Sequence, residues 1–428
     1  WDGGGWGRPG ACDGLAALAE ESVARTERYV VGLDVGTSQI AAIVGEAMED
    51  GSLDVVGVGK TDARGIRRGV VVDLEAAVRS IKGAIKEAEL MAGVDIDSVH
   101  LGLSGGQADA FNSRGVVAVA GKSRVIARAD VDRAIAAAQA VPLDPGREIL
   151  HVLPQEFVVD DQDGIGAPIG MTGASIEVNA HIVTGSVTAS HNIVACVNRA
   201  GVGVVDTTLE QLAAAESVLT PDEKDLGVLL VDVGGGTTDF VVYERGSLWH
   251  TGFVALGGDH FTNDIAVGLR TPIPDAEVTK RRDGCALAAL VDEDQTIEVA
   301  SVGGRRPRTM SRRRLADILQ PRAEEIFHRL WDEVCGAGYE SAIHAGIVLT
   351  GGGAILEGMP EIAEQIFDLP IRRGCPTGVG GLADHVKNPA YATAVGLVMY
   401  AHRQVKSNDE PIPNGWLNRL QAVVKRYF

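Results

Sequence analysis

The chain has 428 residues, of which 45% are hydrophobic and 23% charged, and it carries a formal net charge of −19 with a pI near 5.0. This length is too great for one hydrophobic core and predicts roughly two to four subdomains. The acidic balance argues against nucleic acid as the main partner, since phosphate binding requires a dense basic surface.

The cysteine pattern and the hydropathy limit the cellular compartments that fit the protein. The five cysteines show no C-x-x-C spacing, so neither a disulfide framework nor a zinc site is predicted, and a reducing, cytoplasmic setting fits best. No run approaches the ~20 apolar residues that a membrane span needs. Residues 1–28 lack the pattern of a secretory signal, and we expect an extension that is disordered or not native to the chain.

The first predicted element is a strand, a tight glycine-centred turn and a second strand over 29–44. The same pattern returns over 227–242, as an apolar run, Asp-Val-Gly, hydroxyl residues and a second apolar run. Two such copies, about 200 residues apart, predict a duplicated α/β unit, because an internal repeat reports the architecture of a chain.

Hydrophobic periodicity predicts the remaining elements. Helices are predicted over 74–91, 129–140, 191–201, 209–219, 259–269, 275–282, 314–336, 359–367 and 390–402. Strands are predicted over 99–103, 115–120, 151–159, 175–185, 202–205 and 347–350, with a polar stretch of strand and loop over 291–308. The segment 406–414 contains Pro411 and Pro413 and is predicted to be a flexible linker.

The two glycine turns have the composition of a polyphosphate-binding site. Glycine lets backbone N–H groups approach phosphate closely, and threonine and serine add hydroxyl donors. A third glycine run follows the strand at 347–350 and precedes a helix, where a nucleotide can pass near bare backbone. The predicted nucleotide-binding residues of these three segments are Asp34, Gly36, Thr37, Ser38, Gly234, Gly235, Gly236, Thr237, Thr238, Gly351, Gly352 and Gly353.

Each turn also carries an aspartate at the end of its first strand. Asp34 and Asp232, beside a triphosphate, are suited to hold Mg²⁺, mostly through its water ligands. One isolated turn of this kind is more often a surface β-turn, because short motifs match by chance. Two turns in register, together with a glycine-rich strand exit, favour the binding of ATP with Mg²⁺.

In combination these features resemble the ATPase core of the actin-like superfamily, which has a ribonuclease H-like fold. The resemblance implies that 34–38 form the first phosphate loop, 232–238 the second and 351–354 the adenosine loop. Ala392, Ala394 and Gly396 lie in a helix that resembles the second connecting helix of the superfamily. Small side chains there let two helices cross closely below the cleft.

A narrower resemblance, to the FtsA family of bacterial cell division proteins, extends over nearly all of 29–428. It is carried by LGLSG at 101–105, HVLPQE at 151–156, SVGG at 301–304, GIVLTGG at 346–352 and the terminal segment 416–428. It implies an α/β fold, a duplicated actin-like ATPase core with an inserted FtsA-type 1C subdomain that replaces an actin subdomain and packs against a neighbouring protomer. The implied divisions are 1–28 (extension), 29–104 and 176–222 (subdomain 1A), 105–175 (1C), 223–262 and 321–376 (2A), 263–320 (2B), 377–404 (return to 1A), 405–414 (linker) and 415–428 (C-terminal amphipathic helix).

Further residues take candidate roles from the superfamily pattern. Glu210 stands where the superfamily places a polar residue that orients the attacking water, and with Asp232 it is the catalytic candidate; the alternative is an exposed glutamate at a helix start. The slow hydrolysis of the family implies at most a weak Mg²⁺-dependent ATPase, with ATP mainly a conformational ligand. Glu277 and Lys280 resemble the pair that contacts ribose and adenine, and their alternative is a surface i,i+3 ion pair.

The segment 415–428 has the pattern of an amphipathic helix. A helical wheel gathers its apolar residues in an arc of roughly 140°, with Arg419, Lys425 and Arg426 on or beside the polar side. Such a helix lies in the interface of an anionic membrane as a reversible anchor, which filaments would multiply by avidity. The alternative is a helix that docks on the core of the protein itself. The predicted membrane residues are Trp416, Leu417, Leu420, Val424, Tyr427 and Phe428.

Arginines within 305–308 and 312–314 form a basic island in this acidic chain. The simpler interpretation is a solvated charged face, and the functional one is an acceptor for an acidic peptide. In the FtsA family the small subdomain of the second half, here 263–320, binds the C-terminal tail of FtsZ, the tubulin-like division protein. Arg308 and Arg322 stand at the matching positions.

The leading hypothesis is therefore an ATP-binding, actin-like cell division protein. It would form filaments, tether the FtsZ ring to the inner face of the cytoplasmic membrane at the septum, and recruit later division proteins. A small-molecule kinase of the same superfamily is the main alternative, and it gives the terminal helix no role. A heat-shock-type chaperone ATPase is the third, and it needs a β-rich peptide domain that the pattern after 404 does not predict.

Overall fold

The computed structural model describes residues 28–303 and 305–409. Its strands, in chain order, are β1 (Tyr29–Val35), β2 (Gln39–Ala47), β3 (Leu53–Asp62), β4 (Ile66–Arg67), β5 (Val70–Val71), β6 (Ser98–Leu103), β7 (Ala108–Ala118), β8 (Arg147–Val159), β9 (Gln162–Ile165), β10 (Ser175–Ser186), β11 (Gly203–Leu209), β12 (Val228–Val233), β13 (Thr238–Glu244), β14 (Ser247–Val254), β15 (Thr296–Val299), β16 (Arg308–Ser311), β17 (Ile347–Thr350), β18 (Ile371–Arg373) and β19 (Gly380–Gly381). Its helices are α1 (Leu74–Ala92), α2 (Arg128–Gln139), α3 (Val187–Ala200), α4 (Glu210–Val218), α5 (Pro221–Leu226), α6 (Gly258–Leu269), α7 (Ile273–Asp283), α8 (Arg312–Gly336), α9 (Met359–Phe367), α10 (Ala383–Val386) and α11 (Ala392–Asp409).

Two of the sheets have the same strand order. In the first, β1, β2 and β3 pair antiparallel, and β6 and β11 follow in parallel on the other side of β1, with the short β19 beyond β3. In the second, β12, β13 and β14 pair antiparallel, and β17 and β18 follow in parallel on the other side of β12. This repeated order confirms the duplicated α/β unit that the two glycine turns predicted.

The central strands are covered on both faces, in agreement with their continuous apolar sequences. β12 has the sequence VLLVDV and is buried at every position except Asp232, which is partly exposed. Strands covered on both faces are continuous apolar runs rather than alternations. In the first half, a β-carbon at Gly59 of β3 would overlap the carbonyl oxygen of Ala84, so glycine lets α1 lie directly on the sheet. Helices α6, α8 and α9 contribute the corresponding core of the second half.

Helices α4 and α11 cross closely where the two halves meet. Side chains of α4 pack on the second sheet, and side chains of α11 pack on the first. The Ser217 hydroxyl donates a hydrogen bond to the carbonyl oxygen of Ala392 (2.6 Å). A β-carbon at Gly396 would overlap the carbonyl oxygen of Ala213. The small residues of α11 therefore permit the close crossing that the sequence pattern predicted.

A separate four-stranded sheet, in the order β7-β10-β8-β9, interrupts the first half between β6 and α3. Helix α2 covers one of its faces, and Val131, Ala134 and Phe157 lie in the core between them. Strand β10 pairs with both β7 and β8, so the inserted sheet continues to Ser186. The boundary predicted at 175 is therefore too early, because an apolar strand pattern does not reveal which strands it pairs with.

Other predicted elements differ mainly in length. Strand β11 runs on to Leu209 rather than ending at 205, and α3 begins at Val187 rather than 191. Helix α11 continues to Asp409, so the first part of the predicted linker is helical; no proline or glycine occurs between 397 and 410 to end the helix before Pro411.

Some sequence-based predictions fall on the segments 1–27 and 410–428, which lie outside the described residues. They include the extension at the start of the chain and the amphipathic helix at 415–428. Among residues 28–303 and 305–409, no helix combines the length and the apolar character that crossing a bilayer requires.

The crossing of α4 and α11 predicts that Gly396→Ala destabilises the protein. The added methyl group has no room beside Ala213, so the helices must separate, and we expect a loss of about 1–3 kcal/mol in the free energy of unfolding. Gly336→Ala, at the end of α8 where a β-carbon meets no other atom, is the matched control and should be neutral or slightly stabilising. Urea denaturation of both variants measures the difference, and equal midpoints would contradict this packing argument.

Candidate functional site

A cavity of about 590 Å³ lies between the two halves of the core. Its volume falls in the range of small-molecule and cofactor sites. Both glycine turns, the third glycine run and the first residues of α4 and α11 contribute to its lining. The predicted nucleotide-binding segments therefore surround one space, although they come from distant parts of the chain.

The two glycine turns face each other across this cavity. A β-carbon at Gly235 would overlap the Ser38 hydroxyl, and a β-carbon at Gly236 would lie 2.8 Å from Thr37 Oγ1. Residues 34–38 and 232–238 thus meet from opposite walls. Glycine is required at the contact, because any side chain there would separate the turns and fill the space between them.

The second turn is held in place by the start of α6. The Gly234 amide donates to the carbonyl oxygen of Thr237 (2.9 Å), which closes the turn. The amides of Gly258 and Asp259 donate to the carbonyl oxygens of Gly234 (2.9 Å) and Gly235 (2.8 Å). These bonds fix the turn backbone without side chains, so the inner face of the turn stays open to a ligand.

Four carboxyl groups line the floor of the cavity: Asp34, Glu210, Asp232 and Asp239. Burial raises the pKa of Asp34 to about 7, with a further contribution from the charge of Asp232. Burial and the same charge raise the pKa of Asp239 to about 7, although the Thr237 hydroxyl donates to it (2.8 Å). Burial raises the pKa of Asp232 to about 6, partly offset by the Thr393 hydroxyl (3.2 Å). These acids repel one another, and such a group fits a cation or a protonated state.

Two side chains at the start of α4, those of Glu210 and Gln211, each have a buried polar atom that lacks a hydrogen-bond partner in the described chain. Burial raises the pKa of Glu210 well above its usual range, and the charges of Asp34, Asp239 and Asp232 raise it further. Among residues 28–303 and 305–409, the buried Oε1 atoms of Glu210 and Gln211 have no hydrogen-bond partner, while Gln211 Nε2 donates to Asp239 Oδ1 (3.2 Å). A buried polar atom without a partner is costly, which indicates that a ligand or a water completes the site.

The third glycine run closes the cavity beside Asp232. Gly351 has a φ of 82°, and a β-carbon there would overlap Asp232 Oδ1. Its amide donates to the carbonyl oxygen of Pro389 (3.2 Å), which ties this run to the segment that leads into α11. The backbone therefore approaches the carboxylate as only glycine allows.

Glu277 and Lys280 of α7 line the cavity and also pair with each other. Lys280 Nζ lies 2.7 Å from Glu277 Oε2 and donates to the carbonyl oxygen of Gly258 (2.9 Å) and to Thr262 Oγ1 (2.8 Å). The two interpretations offered for this pair, ligand contact and i,i+3 ion pair, are thus compatible in the structure.

The predicted partner arginines lie away from the cavity. Arg308 is exposed at the start of β16, and its guanidinium donates to the carbonyl oxygen of Leu269. Arg322 is half-buried in α8, where it pairs with Asp264 (2.7 Å) and with Glu325. Arg308 is therefore the more available of the two to an external acidic group.

Sequence reasoning did not select Asp239 or Gln211. The signal for Asp239 is the register of the hairpin, since Asp232 and Asp239 are equally far from its turn and pair directly across β12 and β13. Gln211 has no such signal, because its position beside Asp239 depends on the packing of α4 against the second sheet.

The two matching sheets, the cleft between them and the facing glycine turns define an actin-like ATPase fold. Among solved structures, the chain is similar to the PilM-PilN type IV pilus biogenesis complex, with a TM-score of 0.64 and 16% identity over 87% of this chain and 98% of that one. It is also similar to MreB5 of Spiroplasma citri, solved with ADP, with a TM-score of 0.51 and 16% identity over 90% of this chain and 99% of that one. At such low identity these structures establish the fold alone.

Sequence comparison is more specific. The family model described as cell division protein FtsA matches residues 229–396, and the SHS2 domain inserted in FtsA matches 105–184. Cell division protein FtsA of Pseudomonas aeruginosa is 49% identical over 87% of this chain and 89% of its own length. That of Escherichia coli K12 is 38% identical over 95% of this chain and 99% of its own length. The chain belongs to the FtsA family, and it is an actin-like protein of cell division.

The carboxyl group of Asp239 predicts a pH dependence of stability. Because its pKa is raised from 3.8 to about 7 on folding, the folded chain retains a proton that the unfolded chain has lost, and this stabilisation disappears as the pH rises from about 4 to above 7. Asp239→Asn mimics the protonated group, so its melting temperature should exceed that of the wild type more at pH 8 than at pH 5.

Thermal melts of the nucleotide-free chain at both pH values measure this difference. Asp161→Asn, at an exposed position after β8, removes the same charge outside the cavity and is the control. A stability gain for Asp239→Asn that is the same at pH 5 and pH 8 would contradict the prediction.

Proposed function

We propose that this chain binds ATP with Mg²⁺ in the cleft, forms filaments, and tethers the FtsZ ring to the inner face of the cytoplasmic membrane at the septum, where it recruits later division proteins. The observation that carries the nucleotide part is the meeting of two glycine turns, with bare backbone at Gly234–Gly236 and hydroxyl groups at Thr37 and Ser38, over a floor of acidic groups. The remaining parts follow from membership of the FtsA family and from charge and amphipathicity in the sequence.

The cleft fits a nucleotide in shape and in donor chemistry. Its walls offer bare glycine backbone at Gly234–Gly236 and Gly351–Gly353, with hydroxyl groups at Thr37 and Ser38. Backbone amides in such turns bind phosphate oxygens. MreB5 of Spiroplasma citri, which shares the fold, has been solved with ADP and with AMPPNP.

Mg²⁺ fits the acidic floor of the cleft. Asp34 and Asp232 would hold it, and its charge would offset both the phosphates and the mutual repulsion of the carboxylates. Within the part of the chain that the structure describes, no three His, Cys, Asp or Glu side chains form a metal-binding group. Binding through water ligands and phosphate oxygens, which Mg²⁺ prefers in nucleotide sites, is therefore the form proposed.

Glu210 is the proposed residue for orienting the attacking water. Its raised pKa makes the carboxylate a stronger base than an exposed glutamate, and its Oε1 atom has no hydrogen-bond partner in the part of the chain that the structure describes. Asp232 would assist through the metal rather than by direct proton transfer. We propose a weak ATPase in which the bound nucleotide mainly sets the conformation of the cleft.

The proposed tether has two contacts at separate places. The membrane contact is the segment 415–428, with Trp416, Leu417, Leu420, Val424, Tyr427 and Phe428 on its apolar side. The proposed FtsZ contact is the exposed basic surface at Arg308, with the half-buried Arg322 of α8 as the second residue. An acidic peptide suits Arg308, because within 28–303 and 305–409 its guanidinium has a carbonyl oxygen and no carboxylate as a partner.

Nucleotide binding predicts that Gly235→Val weakens the affinity for ATP by at least about tenfold. The valine side chain would occupy the space beside Ser38 and block the approach of phosphate to the backbone. Titration with a fluorescent ATP analogue in the presence of Mg²⁺ measures the affinity. Gly166→Val, in a loop where a β-carbon meets no other atom, is the control and should bind as the wild type does. Unchanged affinity in Gly235→Val would refute the role of this turn.

The tether predicts that the full chain carries FtsZ into the pellet when anionic liposomes are sedimented. A chain lacking 416–428 should stay in the supernatant together with FtsZ, although it still binds ATP. Arg308→Glu should pellet with the liposomes but leave FtsZ behind, because the acidic FtsZ tail is repelled. Retained lipid binding by the shortened chain would refute the anchor, and FtsZ that still pellets with Arg308→Glu would refute that contact.

A further inference from the structure

Most of the basic side chains that line the cleft already have acidic partners. Lys280 pairs with Glu277 (2.7 Å), Arg281 with Glu277 (2.6 Å) and Arg282 with Asp283 (2.7 Å). Arg312 pairs with Glu357. These cations are therefore largely neutralised before any ligand arrives, and they all belong to the second half.

Lys60 of β3 is different. It lines the same cleft from the first half, it is exposed, and no carboxylate in the described chain lies within ion-pair distance of its ammonium group. The acid next to it, Glu87, accepts a hydrogen bond from the Lys60 main-chain amide (2.7 Å) instead. The ammonium group lies over the ring of Tyr391, 5.8 Å from its centroid. A cation–π contact at an exposed site is weak, so the ammonium group of Lys60 can leave the Tyr391 ring at little cost and bind an anion instead.

Lys60 lies on the same side of the cleft as the first glycine turn. Lys60 pairs with Ala41 in β2, and Gln39, which directly follows the turn, also lines the cleft. The side chain thus rises from the wall that carries Thr37 and Ser38, at the side of the cleft bounded by Tyr391. A lysine side chain has a flexible four-carbon stem and behaves as a mobile point charge, which suits it to follow a phosphate chain.

The negative charges in the cleft indicate which ligand Lys60 would bind. A bound nucleotide would add several negative charges to a cleft whose floor already holds four carboxyl groups. We propose that the ammonium group of Lys60 leaves the Tyr391 ring and binds the phosphate chain of the nucleotide, as the first-half counter-charge of the site. This inference rests on the proposed function, and it adds a binding residue that no glycine-turn pattern contains.

The test compares the affinities of Lys60→Met, Lys60→Arg and the wild type for ATP, ADP and adenosine in the presence of Mg²⁺. Loss of one charge-assisted contact should weaken ATP and ADP binding about tenfold in Lys60→Met. Lys60→Arg should retain most of the affinity, because the charge remains. Adenosine binding should be the same in all three proteins, because adenosine has no phosphate.

Lys82→Met is the matched control, since Lys82 is an exposed lysine on α1 outside the cleft and its loss changes the net charge equally. The inference is overturned if the wild type binds ATP and Lys60→Met binds it equally well. It is also overturned if adenosine is weakened as much as ATP, because the lysine would then support the pocket and not the phosphates. A wild-type chain that binds no nucleotide would refute the proposed function together with this inference.

Discussion

Two turns from opposite halves of the chain meet where the glycine backbone of one lies against the hydroxyl side chains of the other, and the architecture of the cleft follows from that contact. Gly235 lies against Ser38 and Gly236 against Thr37, so the sheets that carry these turns are held at one separation. The same approach brings Asp34 close to Asp232. Burial raises the pKa of both carboxyl groups, and the charge of Asp232 raises that of Asp34 further. The cleft thus holds a group of acids that a bound cation would stabilise.

The inserted sheet contacts both halves of the core. At its start, Gln107 Nε2 donates to the carbonyl oxygen of Gly69 (2.5 Å), whose amide donates to Thr37 Oγ1 in the first turn (3.2 Å). At its far side, His181 lies between Asn112 (2.7 Å) and Thr251 of β14 (2.9 Å). Burial, with a contribution from the charge of His250, lowers the pKa of His181 to about 3, so this histidine is neutral and can both donate and accept. The insertion is therefore hydrogen-bonded to both halves of the core.

Local chemistry made much of the fold predictable. Strand β17 and helix α9 have the bounds that apolar runs and flanking glycines predicted. Helix α1 ends at Gly93 in the left-handed region (φ 70°), as the position of that glycine indicated. The insertion boundary was predicted less well, because β10 is an ordinary apolar strand and its place in the inserted sheet depends on its pairing with β7 and β8.

Sequence patterns predicted the two glycine turns, their aspartates, the duplication and the family, because each is a pattern of neighbouring residues with a local physical cause. Two contacts became visible only in the folded chain: Gln211 touches Asp239, and Lys60 enters the cleft without an acidic partner among the described residues. These contacts join residues that are remote along the chain, and they exist only where packing of helices against sheets brings them within a few ångströms. Composition and periodicity report which face of an element is buried, but not which distant side chain it will meet there.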